Sequence, residues 1–270
     1  MRRSAVPLLL LLGACGADRG GAATANYYFT YDPRSLDPAL STDVPTGETV
    51  ALLFDNLTRL DIDGRLVPGL AASWETDSGG RRYTFHLRRG PAFHDGRPIT
   101  AADVRASFQR VLAPGSTGGR TWPLLPIAGA RAYTEGKAES VAGVGTPNDS
   151  TVILTLEQPL NVFPKFLAMP VAAVVPTPTP ADFDQRPVGS GPWRFASWAH
   201  DDELVLTGNA AYWGGAPALD TLRIRIIPEP LTRAAEYESG RLSVAEIPVG
   251  ETRRWEQTRA AELQRRPALR

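Results

Sequence analysis

Three histidines, one cysteine and a few serine and carboxylate clusters are the residues of this 270-residue chain whose types could carry chemistry. His86, His94 and His200 share no ligand-like spacing and have no cysteine partner near them, so each reads as structural rather than metal-binding. Ser190 sits in Val188-Gly189-Ser190-Gly191-Pro192, which lacks the second spacer of a nucleophile elbow. Gly143-Val144-Gly145 fails as a dinucleotide loop, because position 148 is Asn and no strand–helix unit surrounds it. Asp201-Asp202-Glu203 reads as a solvated turn. Nothing assembles a nucleophile, a base and an oxyanion donor, so the chain is expected to be no enzyme, with no metal and no cofactor.

The cysteine is different. Arg2 and Arg3 precede an apolar run from Val6 to Leu12, and Leu12-Gly13-Ala14-Cys15 follows. This is the layout of a secretory signal peptide, and the apolar run is too short for a permanent membrane span. Placed there, Cys15 looks like the lipidation site of a bacterial lipobox, with residues 1–15 removed or modified on export and residues 16–25 left as a flexible tether. Acyl chains on Cys15 would hold the protein on the outer face of a membrane. The absence of a second cysteine excludes a disulfide framework. Twenty-nine basic and 29 acidic residues leave a formal net charge of zero, so no electrostatic argument favours nucleic acid.

The elements that must position any site are mixed. The pattern predicts strands at residues 26–31, 83–87, 193–198, 203–207 and 222–227, from aromatic and β-branched runs with period-2 alternation. Short strands flank Asp61-Ile62-Asp63-Gly64, and residues 68–71 form one helical turn at most. Residues 141–144 and 151–156 read as a hairpin, and 171–175 and 242–247 as further strands. Helices are predicted at 48–58, 100–112, 127–136, 161–169, 232–239 and 251–263. Thr100 and Asp103 form a capping box for the second of these, whose Val104, Phe108, Val111 and Leu112 make one apolar stripe. Residues 113–120 form a flexible break, 177–187 a proline-rich linker and 209–217 an irregular aromatic loop. Strands and helices alternate without a strict βαβ period, which gives an α/β class with mixed sheets.

Seven motifs in order carry a resemblance. They are Leu36-Asp37-Pro38; Phe54-Asp55-Asn56-Leu57; Pro68-Gly69-Leu70-Ala71 with Ser73-Trp74; Tyr83 to Arg88; Phe93-His94-Asp95-Gly96 with Pro98 to Val104; Gly189 to Trp193; and Asn209 with Tyr212-Trp213. The chain resembles the extracytoplasmic solute-binding proteins of family 5, the peptide, dipeptide and nickel class that serves ATP-driven importers. The resemblance covers roughly residues 26–250 and implies a type II periplasmic-binding-protein fold, two lobes around a cleft with a small extra subdomain. It implies a main first lobe from residues 26–45 and 186–227, an inserted subdomain from 46–185, and the start of a second lobe from 228–270. That second lobe needs more chain than follows, so the sequence is expected to be an N-terminal piece.

The function so implied is capture of a peptide or similar small solute outside the cytoplasmic membrane, and its delivery to the permease and ATPase subunits of an importer. The alternative is a transport-incompetent, lipid-anchored lobe with a structural or interaction role. By the same resemblance Ser41, Asp43, Thr46, Trp122 and Met169 are candidate ligand-binding residues, with Val171 beside them. The competing reading of Ser41, Asp43 and Thr46 is a helix N-terminal cap region, and that of Trp122 a core tryptophan under a loop.

Overall fold

The structure is a computed structural model, and it describes residues 23–116, 118, 120–248 and 250–263. Cys15, the signal segment and residues 16–22 of the expected tether lie outside the described residues.

Two four-stranded sheets organise the chain. The first is built from β1 (Thr24–Phe29), β8 (Trp193–Ala199), β9 (Glu203–Gly208) and β10 (Thr221–Ile226), in the order β1-β10-β9-β8. β1 pairs parallel with β10, Phe29 opposite Ile226, while the β10-β9 and β9-β8 pairs are antiparallel. The second sheet is antiparallel throughout. It joins β4 (Ala71–Thr76), β5 (Arg82–Leu87), β6 (Val144–Asn148) and β7 (Thr151–Thr155) in the order β4-β5-β7-β6. A two-stranded ribbon, β2 (Thr58–Leu60) with β3 (Leu66–Pro68), stands beside it. Its turn is held by the Asp61 carboxylate, which accepts from the Asp63 and Arg65 amides, and by Gly64 at φ 73°.

Each sheet has its own core. Phe29, Leu36, Val50, Leu53, Phe54, Phe183, Leu204, Leu206 and Ile224 pack on the first sheet. Phe85, Phe93, Val104, Phe108, Leu112, Ile127, Val152, Leu154 and Phe163 form the larger cluster on the second. Fully burying a phenylalanine of this kind stabilises the fold by about 2–3 kcal/mol. The helices are α1 (Val44–Leu53), α2 (Ala101–Leu112), α3 (Ala130–Thr134), α4 (Phe163–Phe166), α5 (Pro230–Glu238) and α6 (Thr252–Thr258). α2 lays its stripe on the second sheet. The Asp103 carboxylate receives the Thr100 amide and hydroxyl at 2.8 Å each, and Arg97 at 2.7 Å.

Several elements depart from the sequence reading. α1 begins at Val44, four residues before the expected start, because Asp43 caps it and Pro45 suits the first turn. Residues 171–175 form no strand. Pro170–Ala172 is a 3₁₀ turn, and the extended residues after it satisfy their amides with the Asp55 carbonyl and the Ser107 hydroxyl rather than with a ladder. Residues 68–71 bridge β3 and β4 without a helical turn. Residues 242–247 also lack ladder pairing, although the Ser243 amide donates to the Asn26 carbonyl of β1 at 2.8 Å. Two stretches cross the divisions implied by resemblance: α1 packs in the first core, and α5 is tied to the first sheet by Arg225–Glu236 and by Arg233 over the Tyr28 ring.

The two cores meet along a seam of hydrogen bonds. The Leu53 carbonyl, at the end of α1, receives the amides of Ser190 and Gly191 at 3.0 and 2.8 Å. Asp55 accepts from the Tyr212 hydroxyl (2.9 Å) and the Trp213 indole (3.0 Å), while its own amide donates to the Ser190 hydroxyl. Burial outweighs these donors and raises the Asp55 pKa. Asn56 donates to the carbonyls of Leu167 and Met169. Arg110 of α2 forms a two-pronged ion pair with buried Asp37 and lies over the Phe183 ring.

His94 closes the seam. Its Nδ1 accepts the Gly189 amide at 3.2 Å, and its Nε2 lies 3.1 Å from the Gly191 carbonyl, to which it donates. That pattern fits only the neutral ring with its proton on Nε2. Burial is the main reason its pKa falls from 6.5 to about 4, with the nearby Arg194 adding to the fall and Asp95 opposing it.

Two tests follow from this seam. A Cβ at Gly189 would lie 1.8 Å from the Leu53 carbonyl oxygen, so Gly189→Ala should cost more than about 3 kcal/mol in chemical denaturation or prevent soluble expression. Gly64→Ala, which meets nothing within 4 Å, should cost only the positive-φ penalty of roughly 1–2 kcal/mol. Because the folded pKa of His94 lies below the unfolded one, its contribution is present above pH 6.5 and is lost as pH falls toward 4. His94→Gln should therefore flatten the pH dependence of the unfolding free energy across that window, whatever it does to stability at neutral pH.

Candidate functional site

A concavity that combines charged groups with aromatic and apolar walls opens at the start of α1. It has a volume of about 570 Å³. One side is Ser41, Thr42 and Asp43, the turn that leads into the helix; the floor is Val44, Gly47, Glu48 and Ala51 of its first two turns. Tyr31, Pro170 and Arg120 complete the rim. Tyr31 and Val44 are exposed at 47% and 65%, an apolar surface left open in this groove.

Local sequence explains the shape. Asp43 has extended backbone, and its carboxylate accepts the Thr46 amide and the Thr46 hydroxyl, both at 2.9 Å. Both of its oxygens are thus committed to capping. Gly47, on the groove floor, would place a Cβ 3.6 Å from Pro170 and from the Ser41 hydroxyl, so a side chain there would narrow the groove. Gly118 lies against Ala39, where its missing Cβ would fall 2.2 Å from the Ala39 carbonyl oxygen, a contact only glycine tolerates. Two residues on, Arg120 donates from Nη2 to the Thr42 carbonyl at 2.7 Å. The Glu48 side chain forms no hydrogen bond or ion pair among the described residues, and partial desolvation raises its pKa. Its charge in turn adds to the burial that raises the pKa of Tyr27.

The candidates from sequence are placed as follows. Ser41 and Asp43 line the groove, Ser41 at 4% exposure. Thr46 is fully buried just behind it, where its hydroxyl accepts the Arg34 amide. Met169 is partly buried against the second core and gives its carbonyl to Asn56, while the adjacent Pro170 reaches the rim. Trp122 is 48% exposed and meets Phe166 edge-on at 5.0 Å, so it is no core residue, and it lies outside the groove lining. Val171 is buried in the second core. Sequence reasoning missed Arg120, Glu48, Tyr31 and Pro170. Arg120 sits in the glycine-rich break, where nothing in its neighbours marks it.

A second concavity of about 560 Å³ lies beside β8, lined by Gln185, Arg186, Phe195 and Trp198 among others. Some of its polar groups are tied to one another through Asp32. Asp32 holds the Trp198 indole at 2.9 Å and His200 Nδ1 at 2.8 Å, and His200 Nε2 faces Gln185. Among the described residues no group of three or more His, Cys, Asp or Glu could hold a metal ion, and no helix is long and apolar enough to cross a membrane.

Mixed sheets with this connection order define the class of the type II periplasmic binding proteins. The structure matches that of the Escherichia coli murein tripeptide binding protein MppA with a TM-score of 0.81 and 25% identity, over 88% of this chain and 48% of that one. A periplasmic oligopeptide-binding protein from Borrelia burgdorferi matches with a TM-score of 0.82 and 26% identity, over 88% and 50%. The oligopeptide-binding protein OppA of Bacillus subtilis is 30% identical over 265 residues, 90% of this chain and 48% of the relative. The dipeptide-binding protein of Escherichia coli is 29% identical over 269 residues, 92% and 49%. The family model for bacterial extracellular solute-binding proteins, family 5 Middle, matches residues 65–270, and the chain belongs to that family. It spans about half the length of the relatives it matches.

Capping and groove lining are separable at Asp43. Asp43→Ala should lower stability by about 1 kcal/mol in urea unfolding, and Asp43→Ser, which also caps, should recover most of it.

Proposed function

We propose that this chain supplies one wall of the solute cleft of an importer's binding component, and that the groove at the start of α1 is where that wall meets the solute. The solute is a peptide or a similar small molecule, captured outside the cytoplasmic membrane and passed to a permease driven by an ATPase. The observation that carries this reading is the groove itself. Ser41, Asp43 and Arg120 bring polar groups to a surface otherwise made of Tyr31, Val44, Ala51 and Pro170, the mixed polarity of a small-molecule site. Thr46 supports it from behind by fixing the Asp43 carboxylate. Trp122 and Met169 belong, on this reading, to the margin of the cleft. The protein acts by binding rather than by reaction, with no cofactor.

The anchor belongs to the same proposal. Lipidation of Cys15 after removal of the leader would leave the folded part on a short tether at the membrane surface, near the permease that it serves.

Thermal-shift titration of the chain without residues 1–14, against a mixed library of di- and tripeptides, tests the binding reading. A ligand at 100 times its Kd stabilises by roughly 2.7 kcal/mol and should raise the melting temperature by several degrees. If no pool shifts the transition, this chain does not bind peptides, and the interaction role of a lipid-anchored lobe takes its place.

A further inference from the structure

We infer that Arg120 makes the groove selective for solutes that present a carboxylate, an inference that rests on the peptide-binding reading above. Three formal charges face the groove: Asp43, Glu48 and Arg120. They are not equivalent. Asp43 is held in place by the Thr46 amide and hydroxyl, one on each oxygen, and it forms no ion pair among the described residues. Glu48 is held by no partner among the described residues, and its surroundings already disfavour its ionised form. Arg120 differs from both. It is permanently charged, and its Nη2 is fixed on the Thr42 carbonyl at 2.7 Å. That contact is to a neutral acceptor, so no carboxylate among the described residues neutralises the guanidinium. The loop that carries it is docked by Gly118 against Ala39, with no room for a side chain between.

A guanidinium anchored by one N–H of Nη2 and exposed to a half-apolar groove keeps the second Nη2 N–H, which forms a parallel donor pair with Nη1 or with Nε, whichever edge Thr42 leaves open. Two N–H groups in a fixed plane match the two oxygens of a carboxylate, the pairing for which arginine is suited and lysine is not. Peptides offer a carboxylate from two sources, the C-terminus and an acidic side chain, and Arg120 can hold either.

Calorimetric titration with four tripeptides, and a fifth as a cationic control, separates the possibilities. Ala-Ala-Ala amide carries neither carboxylate and measures the peptide-binding reading alone. Free Ala-Ala-Ala adds the C-terminal carboxylate, Ala-Glu-Ala amide adds the side-chain one, and Ala-Gln-Ala amide is the neutral isostere of the latter. At low salt one carboxylate peptide should bind roughly fivefold tighter than its neutral counterpart, a gain that Arg120→Gln removes and Arg120→Lys keeps only in part. Which carboxylate shows the gain identifies the source. The inference is overturned, with the peptide reading intact, if all four bind equally or if the gain survives Arg120→Gln. It is also overturned if an Ala-Lys-Ala amide binds tightest and Glu48→Gln abolishes that preference. If none of the peptides binds, the peptide reading fails and the inference falls with it. Circular dichroism melts of the Arg120 variants, expected within about 2 °C of the parent, show that the affinity changes are not folding changes.

Discussion

The constraint on which the rest depends is the close approach of residues 189–191 to the carbonyl of Leu53. That oxygen accepts two amides, from Ser190 and Gly191, where an ordinary helix end would leave it to water. The approach requires glycine on both sides of Ser190, since a Cβ at Gly189 or Gly191 would fall 1.8 or 2.5 Å from a backbone oxygen of α1. Once it is made, the chain direction after Leu53 is fixed, and Phe54, Asp55, Asn56 and Leu57 are distributed in turn. Phe54 enters the first core and Leu57 the second. Asp55 binds the 212–213 loop and Asn56 the 167–169 turn. Four consecutive residues thus join four separate parts of the molecule.

This explains why the sequence motifs that carry the family resemblance touch so little of the groove. Asp37 of the first motif pairs with Arg110; His94 of another reads the Gly189 amide and Gly191 carbonyl; Asn209 receives Arg194 and donates to Gly191. These are buried or half-buried polar groups with specific partners, and losing one partner leaves the other unsatisfied at a cost of about 1–3 kcal/mol. Such groups admit few substitutions that keep the geometry. None of the residues that line the groove belongs to those motifs.

The same division sets what the sequence could disclose. The strand, turn and helix of residues 82–112 were legible because each signal is local: alternation at Tyr83, Phe85 and Leu87, a positive φ at Gly96, a capping box at Thr100 and Asp103. The start of α1 was displaced because Val44-Pro45-Thr46-Gly47 carries no apolar period, and the cap decides it. Residues 171–175 are as apolar as a buried strand and are buried, yet the amides of Val174 and Val175 are met by Asp55 and Ser107, a tertiary fact without a sequence mark. Arg120 was hidden for the same reason. Its role in the groove depends on Gly118 reaching Ala39 across a distance of 79 positions in sequence. Ser41 and Asp43 were named through resemblance and line the groove, and the cap reading holds for Asp43, since capping is how its carboxylate comes to stand at the rim.

The rigidity of the seam bears directly on binding. α1 is held at its C-terminal end by the Leu53 carbonyl and at its N-terminal end by Asp43, so the groove floor cannot tilt without breaking one or the other. Arg120 is held to Thr42, which belongs to the turn that Asp43 closes, so the guanidinium moves with the floor. On the proposed reading, a wall of this kind loses little conformational entropy when a solute arrives, and a hinge closure between lobes would leave its charges in register with the solute. An arginine pinned by a neutral carbonyl suits that demand better than one held in an ion pair, because the solute carboxylate does not first have to displace a competitor.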